Sequence, residues 1–200
     1  FTINALFYDP GTQTVLDYVQ GRADLEAHVV RAVGTPLERF REDHLRMLRA
    51  VRFAATLGFQ LDPATAAAIQ AVAPAIATIS AERIRDELTR TLTESQKPGD
   101  ALELLFEVGL LDVILPEVTA MRGQEQPPQY HPEGDVFRHT VIMLNLMRAP
   151  SPHLAWAVLL HDVGKPPTAH FTDGRWRFER HAPVEQNWHT AFWTGCALHT

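Results

Sequence analysis

The sequence predicts a mainly α-helical chain that opens with a β-hairpin. Three observations carry this. Apolar residues recur at three- and four-residue steps, as at Leu45, Leu48, Val51 and Ala55, the period of a helix buried along one stripe. Helix start and stop residues bracket such stretches: Asp62-Pro63, Ser80, Pro98 and Asp135 at starts, Gly58, Gly109 and Gly164 at ends. The first nineteen residues instead carry aromatic and β-branched runs around Asp9-Pro10-Gly11, a turn signal between strands.

Taken in order, residues 1–8 and 14–19 read as the hairpin. Two strands alone are marginal in water, so the pair is expected at the edge of a larger sheet whose other strands are not in this sequence. Residues 24–33 read as a short helix ended by Gly34-Thr35-Pro36, and residues 38–57 as one longer helix closed by Gly58. Helices are expected over 62–72, from Ser80 to Leu92, and over 98–108. The polar, proline-rich stretch 124–132 is the best domain boundary. Beyond it come a helix capped by Asp135, a very apolar helix over 154–162, and a second hairpin over 171–178 around Asp173-Gly174.

The chain has 200 residues, 46% hydrophobic and 21% charged, enough for one large or two small cores. Cys196 is the single cysteine; it can form no internal disulfide, and a reducing cytoplasm fits best. No apolar run is long enough to span a membrane. A start at Phe1 rather than Met suggests a piece of something longer, and the stretch 188–200 has a weak pattern. The formal charge of −6 does not advertise nucleic-acid binding. Basic residues cluster locally all the same, at Arg39, Arg41, Arg46, Arg49 and Arg52, while most of the 10 histidines fall after residue 130. That asymmetry suggests two jobs in two halves.

Two constellations carry chemistry. At about 100° per residue, Asp43 and Arg46 lie opposite the apolar stripe, one turn apart. They could form a surface ion pair worth a few tenths of a kcal/mol. They could equally read a base edge, Asp accepting from an exocyclic amine and Arg donating to ring or carbonyl acceptors; periodicity does not choose. The second constellation is His161-Asp162 at the end of an apolar helix, with His139 on another helix. Burying such groups is costly unless they are paired or bind metal, and imidazole with carboxylate suits a divalent ion.

Phe1-Thr2-Ile3-Asn4-Ala5-Leu6 resembles the end of the arginine-aspartate-FTINA motif of bacterial CCA tRNA nucleotidyltransferases and their poly(A) polymerase relatives. Gly21-Arg22-Ala23-Asp24-Leu25 resembles the same family's flexible motif between head and neck, and Glu42-Asp43 with Arg46, after Arg39-Phe40, its E-D-x-x-R neck motif. The block from Ser80 to Leu88 is similar to its RNA-binding neck extension. His139, His161-Asp162 and Gly164-Lys165 resemble the HD phosphohydrolase pattern. The likeness runs from Phe1 to about Glu185.

The resemblance implies a helical neck and body bundle plus an α-helical HD domain, with the hairpin as a remnant of the nucleotidyltransferase head sheet. The domains implied are 1–29, head remnant; 30–95, neck; 96–130, body helix and linker; and 131–200, HD domain. Asp43 and Arg46 would select the base of CTP or ATP, with Arg49 near base or phosphate and Asn4 near ribose and triphosphate. Glu42 and Arg39 would complete the nucleotide site, and Asp24 would belong to the hinge. The glycine-rich loop and the carboxylates that hold Mg²⁺ would sit upstream of Phe1, so this chain alone is expected not to transfer nucleotides. In the HD domain His139, His161 and Asp162 would be three of four metal ligands, His181 an additional one, and Lys165 or His131 a phosphate contact; no aspartate follows Asp173 to supply the fourth. The expected activity is CCA addition to a cytoplasmic tRNA from CTP and ATP, with a metal-dependent phosphohydrolase alongside. Poly(A) synthesis, a dedicated HD phosphohydrolase and a non-catalytic RNA-binding module are the alternatives.

Overall fold

A computed structural model of the chain describes residues 1–127, 129–172 and 174–179. Strands Leu6–Asp9 (β1) and Thr14–Asp17 (β2) pair antiparallel, with Phe7 opposite Leu16. Asp9 holds the turn, accepting from Gly11 N at 2.9 Å and the Thr12 hydroxyl at 2.7 Å. The first strand does not reach back to Phe1. Thr2–Asn4 form a 3-10 turn, because Thr2 N donates to Arg31 O and its hydroxyl to Asp24, at 2.9 and 2.6 Å. Those bonds remove the segment from the strand ladder.

Helix α1 spans Gly21–Glu26, earlier than the helix expected over 24–33. Asp17 sets its start by accepting from the backbone N–H groups of Val19, Gly21 and Arg22. The space after it is taken by Val29–Val30 (β3), which pairs in parallel with Gln60–Leu61 (β4). Two-residue strands leave no periodicity to read.

The single helix expected over 38–57 is two: α2, Pro36–Glu42, and α3, Leu45–Leu57. Asp43 breaks it, with extended backbone at φ −154°, ψ 102° and a carboxylate accepting from Leu45 N at 3.2 Å. Aspartate competes for backbone N–H groups in this way. Gly58 at φ 68° closes α3. Helix α4, Pro63–Val72, is capped by Asp62, which accepts from Thr65 N at 2.9 Å. A 3-10 stretch, Ala73–Thr78, leads to α5, Ala81–Glu94. Ser80 stands at its N-cap position without a side-chain cap bond.

Helix α6 is Pro98–Glu107, followed by the short α7, Leu111–Ile114, and α8, Pro116–Thr119. Asp135 caps α9, Val136–Leu146, through Arg138 N at 2.7 Å. Ser151 caps α10, Pro152–Leu160. Lys165–Thr168 (α11) precedes a hairpin of Ala169–Thr172 (β5) and Arg175–Phe178 (β6). No described helix is long and apolar enough to cross a membrane.

One apolar core runs from Phe40 and Leu48 through Leu102 and Leu111 to Phe137, Trp156 and Val163, so helices on both sides of residue 130 share it. At the α6–α9 crossing a Cβ on Gly99 would collide with the Val141 carbonyl, so only glycine allows this approach. Gly99 N donates to Asn145 Oδ1 at 2.8 Å, and the Trp156 indole N–H donates to Thr89 Oγ1 at 2.9 Å. The stretch expected as a connection is tied in: Gln126 is buried, and Val136 N donates to Gln124 O. A smaller cluster of Ile3, Val30 and Ala54, with Phe1, Phe53 and Phe59, packs the first residues onto α3.

Candidate functional site

Where the first residues meet α2, α3 and α5, a cavity of about 320 Å³ opens, lined by Phe1, Asn4, Arg39, Phe40, Arg46, Arg49, Arg52, Phe53, Glu87 and Arg90 among others. Arg46 and Arg49 are one turn apart on α3, and Arg39 comes from α2 across the break. Arg46 Nη1 donates to Arg39 O at 3.0 Å and to Glu42 Oε2 at 2.6 Å; Arg39 Nη1 meets the same Glu42 oxygen at 2.6 Å. The hydrogen bond from Arg46, joined by that from Arg39, holds the Glu42 carboxyl below the ordinary carboxylate range against the opposing effect of desolvation.

Deeper in, Glu87 accepts from Arg49 Nε at 3.1 Å and from Arg52 Nε at 2.7 Å. Arg52 and Glu87 are each 5% exposed, a pair held out of water. The Arg52 guanidinium lies 4.4 Å from the Phe53 ring centre, and Phe1 meets Phe53 edge-on at 5.7 Å. Five guanidinium groups thus face a space with one lining carboxylate and an aromatic wall. Such an array offers charge-assisted, forked donors to phosphate oxygens and flat surface to a base.

Beside the cavity, Asp24 is buried. It accepts from the Thr2 hydroxyl at 2.6 Å and from Arg31 Nε at 3.0 Å, while Arg31 Nη1 reaches Asp62 Oδ1 at 2.8 Å. A Cβ on Gly21 would collide with the Thr2 carbonyl. The segments 1–6 and 21–25 are therefore locked to each other and, through Arg31, to the cap of α4.

The second constellation lies where the loop before α9, the first turn of α9 and the end of α10 converge. The donor atoms of His139, His161 and Asp162 fall within 4.8 Å of one another, as do those of His131, Glu133 and His139. His161 Nε2 is 3.1 Å from Asp162 Oδ2, and its Nδ1 donates to Val158 O at 2.8 Å. His139 Nδ1 is 2.6 Å and His131 Nδ1 3.1 Å from Glu133 Oε1. Burial opposes charge on His161, yet the Asp162 carboxylate outweighs it and raises the imidazole's pKa. Burial likewise works against charge on Asp162, but His161 and Lys165 pull its pKa down to about 2. Glu133 is drawn to about 2 by its own backbone N–H and then by the histidines. Two imidazoles and an ionised carboxylate within this reach fit a divalent cation.

Two family models match the chain before residue 123. A model described as the poly(A) polymerase head domain matches residues 1–31, and one described as the probable RNA- and SrmB-binding site of polymerase A matches residues 58–122. A multifunctional CCA protein of Xylella fastidiosa strain M23 is 38% identical over 173 residues, covering 82% of this chain and 41% of that protein. The chain belongs to the CCA-adding and poly(A) polymerase nucleotidyltransferase family. A namesake from Halorhodospira halophila is 40% identical over 171 residues, with 82% and 40% coverage. The chain thus spans about 40% of the length of these CCA-family relatives. The crystal structure of the Bacillus stearothermophilus CCA-adding enzyme in complex with CTP aligns with a TM-score of 0.64 at 29% identity, over 97% of this chain and 44% of that one. The Thermotoga maritima CCA-adding enzyme complexed with tRNA shares the fold, at 0.56 and 19% identity, over 96% and 46%.

Within this CCA-family chain the structure sorts the expected site residues. Asn4, Arg39, Arg46 and Arg49 line the cavity, with Glu42 fastened to two of them. Asp43 does not face Arg46. Its carboxylate serves Leu45 N and sits 3.7 Å from Arg83 Nη2, so the neighbour of Arg46 is Glu42. That is a correction to the helical-wheel reading, and its cause is the break at Asp43 itself. Lys165 is 9% exposed, its ammonium donating to Asp162 Oδ2 at 2.8 Å and Gln126 Oε1 at 2.7 Å. His181 and the stretch 188–200 lie outside the described residues, as does Asp173. Sequence reasoning gave no role to Arg52, Glu87, Arg90 or Glu133. Glu87 stands inside the block Ser80–Leu88 and Glu133 two residues after His131, but no spacing rule marked either.

Proposed function

We propose that this chain carries the nucleotide-selecting neck of a tRNA nucleotidyltransferase, joined to a metal-dependent phosphohydrolase site of HD type. The enzyme would transfer CMP and AMP from CTP and ATP to a tRNA 3′ end and release pyrophosphate. The observation that carries this is the arginine-lined cavity, set where the segment matching the head model meets the neck helices. Arg46 and Arg49 would donate to base or phosphate, Arg39 to phosphate, and Asn4 to the ribose side. Asp43 belongs to the proposal on the strength of its motif; reading a base requires its carboxylate to leave Arg83. Asp24 acts at the head–neck junction, here as a latch. The names of the relatives, and the solved structures holding CTP and tRNA, favour CCA addition over poly(A) synthesis.

The Mg²⁺ that the family implies finds no ligand set in the cavity: Glu87, its one lining carboxylate, is occupied by Arg49 and Arg52. In the histidine cluster His139, His161 and Asp162 would hold a divalent ion, which supplies Lewis acidity and an activated water. Asp162, held ionised by Lys165, keeps its charge for that role.

Calorimetric titration of the 200-residue chain with CTP and ATP tests the first reading. Arg46→Ala should weaken binding about tenfold or more, the loss of one charged hydrogen bond; equal affinities in wild type, Arg46→Ala and Arg49→Ala would refute it. The second reading is tested by hydrolysis of a 2′,3′-cyclic nucleotide with Ni²⁺, Mn²⁺ or Mg²⁺, which His161→Ala should abolish.

A further inference from the structure

The histidine cluster contains a carboxylate for which the HD resemblance provides no role. Glu133 sits on the loop before α9, half-buried, and its Oε1 lies 2.6 Å from His139 Nδ1 and 3.1 Å from His131 Nδ1. An ionised carboxylate only accepts, so the short contact puts a proton on Nδ1 of His139. In the neutral ring Nε2 then carries the lone pair. His161 is arranged alike: its Nδ1 faces the Val158 carbonyl at 2.8 Å, which also only accepts, and its Nε2 lies against Asp162. Both rings of the triad are thus held by the same nitrogen, one by a backbone oxygen and one by Glu133.

We propose that Glu133 is the positioning residue of this metal centre, holding His139 in the tautomer whose Nε2 binds a divalent cation beside His161 and Asp162. Metal-bound histidines commonly give their second N–H to a carboxylate or carbonyl, and losing that partner typically costs ten- to a hundredfold in metal affinity. Oε1 already meets two imidazole nitrogens, which use its two lone pairs; it is placed to orient the rings. His131 braces the carboxylate from the other side, its ring centre 4.9 Å from that of His139. The inference rests on the metal reading of the cluster and adds to it a residue that binds no metal itself.

Titrating the 200-residue chain with Co²⁺, read by its visible absorption, tests both layers separately. Wild type should take up one Co²⁺ at the cluster, and His161→Ala none. Glu133→Ala should keep the stoichiometry but weaken affinity about ten- to a hundredfold. Glu133→Gln, whose amide oxygen still accepts the Nδ1–H, should recover part of the loss. No Co²⁺ uptake by wild type overturns the metal reading and this inference with it. Uptake by wild type with unchanged affinity in Glu133→Ala overturns this inference alone. Loss of the ion in both Glu133 variants, as complete as in His161→Ala, makes Glu133 a ligand and also overturns it. Thermal melting of the metal-free variants separates these results from misfolding; if Glu133→Ala melts early, Glu133→Gln and Glu133→Asp carry the comparison.

Discussion

The arginine-lined cavity and the histidine cluster share one helical core but are built by opposite means. In the cavity, like charges are brought together and balanced by carboxylates: Glu42 at the rim and Glu87 in the floor each grip two arginines, and Glu94 holds Arg90 at 2.9 Å. Five guanidiniums outnumber these partners, so a positive surplus remains for an anion. In the histidine cluster nearly every donor already faces another group. Lys165 neutralises Asp162, and Glu133 gathers two imidazoles. The first site is primed by its net excess of positive charge, the second by how its pairs are oriented. A multiply charged ligand suits the first, and a small cation that displaces contacts suits the second.

The contrast between the two carboxylates of the cavity gives the largest expected effect. Glu87 and Arg52 are both buried, and removing one partner of such a pair leaves the other charge uncompensated, at a cost of about 3–5 kcal/mol. Glu42 is about half exposed, and its loss should cost about 1 kcal/mol or less. Urea unfolding of Glu87→Gln and Glu42→Gln measures the difference. If the two variants lose equal stability, the division into structural floor and exposed rim is wrong.

Next in size is the test of the neck. Arg46→Ala and Asp43→Ala both touch the E-D-x-x-R motif, yet only Arg46 lines the cavity. In the conformation described here Arg46→Ala should lower CTP affinity about tenfold, and Asp43→Ala clearly less. Equal losses would show that Asp43 turns toward the nucleotide on binding, sharpening the base-reading model.

A smaller effect is expected at the cap of α9, which carries His139. Asp135 accepts from Arg138 N and also from Gly123 N at 2.7 Å. Asp135→Ala should cost about 0.5–2 kcal/mol, with metal affinity falling less than in Glu133→Ala. A larger loss of metal in Asp135→Ala would mean that the helix end, not Glu133, orients His139.

The two sites also differ in how far they could be read beforehand. His139, His161 and Asp162 were legible because each stands in a short local pattern, and the caps Asp62 and Asp135 were legible because capping is a local event. Arg39, Arg46 and Arg49 were found by charge clustering and motif. The position of Asp43 was not, because a wheel drawn through 38–57 assumes an unbroken helix and sets Asp43 beside Arg46, whereas the Asx bond from Asp43 to Leu45 N breaks the helix there; Glu42, at i,i+3 from Arg39 and i,i+4 from Arg46, takes that place. Glu87 lies 35 residues from Arg52; a contact of that range leaves no trace in local spacing. The β3–β4 pairing and the shared core across residue 130 escaped for the same reason.

The latch at Asp24 yields the smallest effect and a sign that can be checked. Hydrogen bonds from Arg31 first, and then from Thr2, hold the Asp24 carboxyl below its ordinary value despite burial. A depressed folded pKa means that the unfolded chain binds the proton more readily. The stabilisation is therefore complete above the ordinary aspartate value of about 3.9, and it is lost as pH falls through the lower folded value. Asp24→Asn should be less stable than wild type at pH 7, and the gap should narrow as pH drops below about 4. Because Arg31 also grips Asp62, the variant keeps one anchor, so the chain should still fold. Denaturant midpoints of the two proteins between pH 7 and pH 3 measure this. A gap that stays constant would mean that Asp24 contributes through packing against Thr2 rather than through its charge, and that the junction between the first residues and the neck is closed by shape.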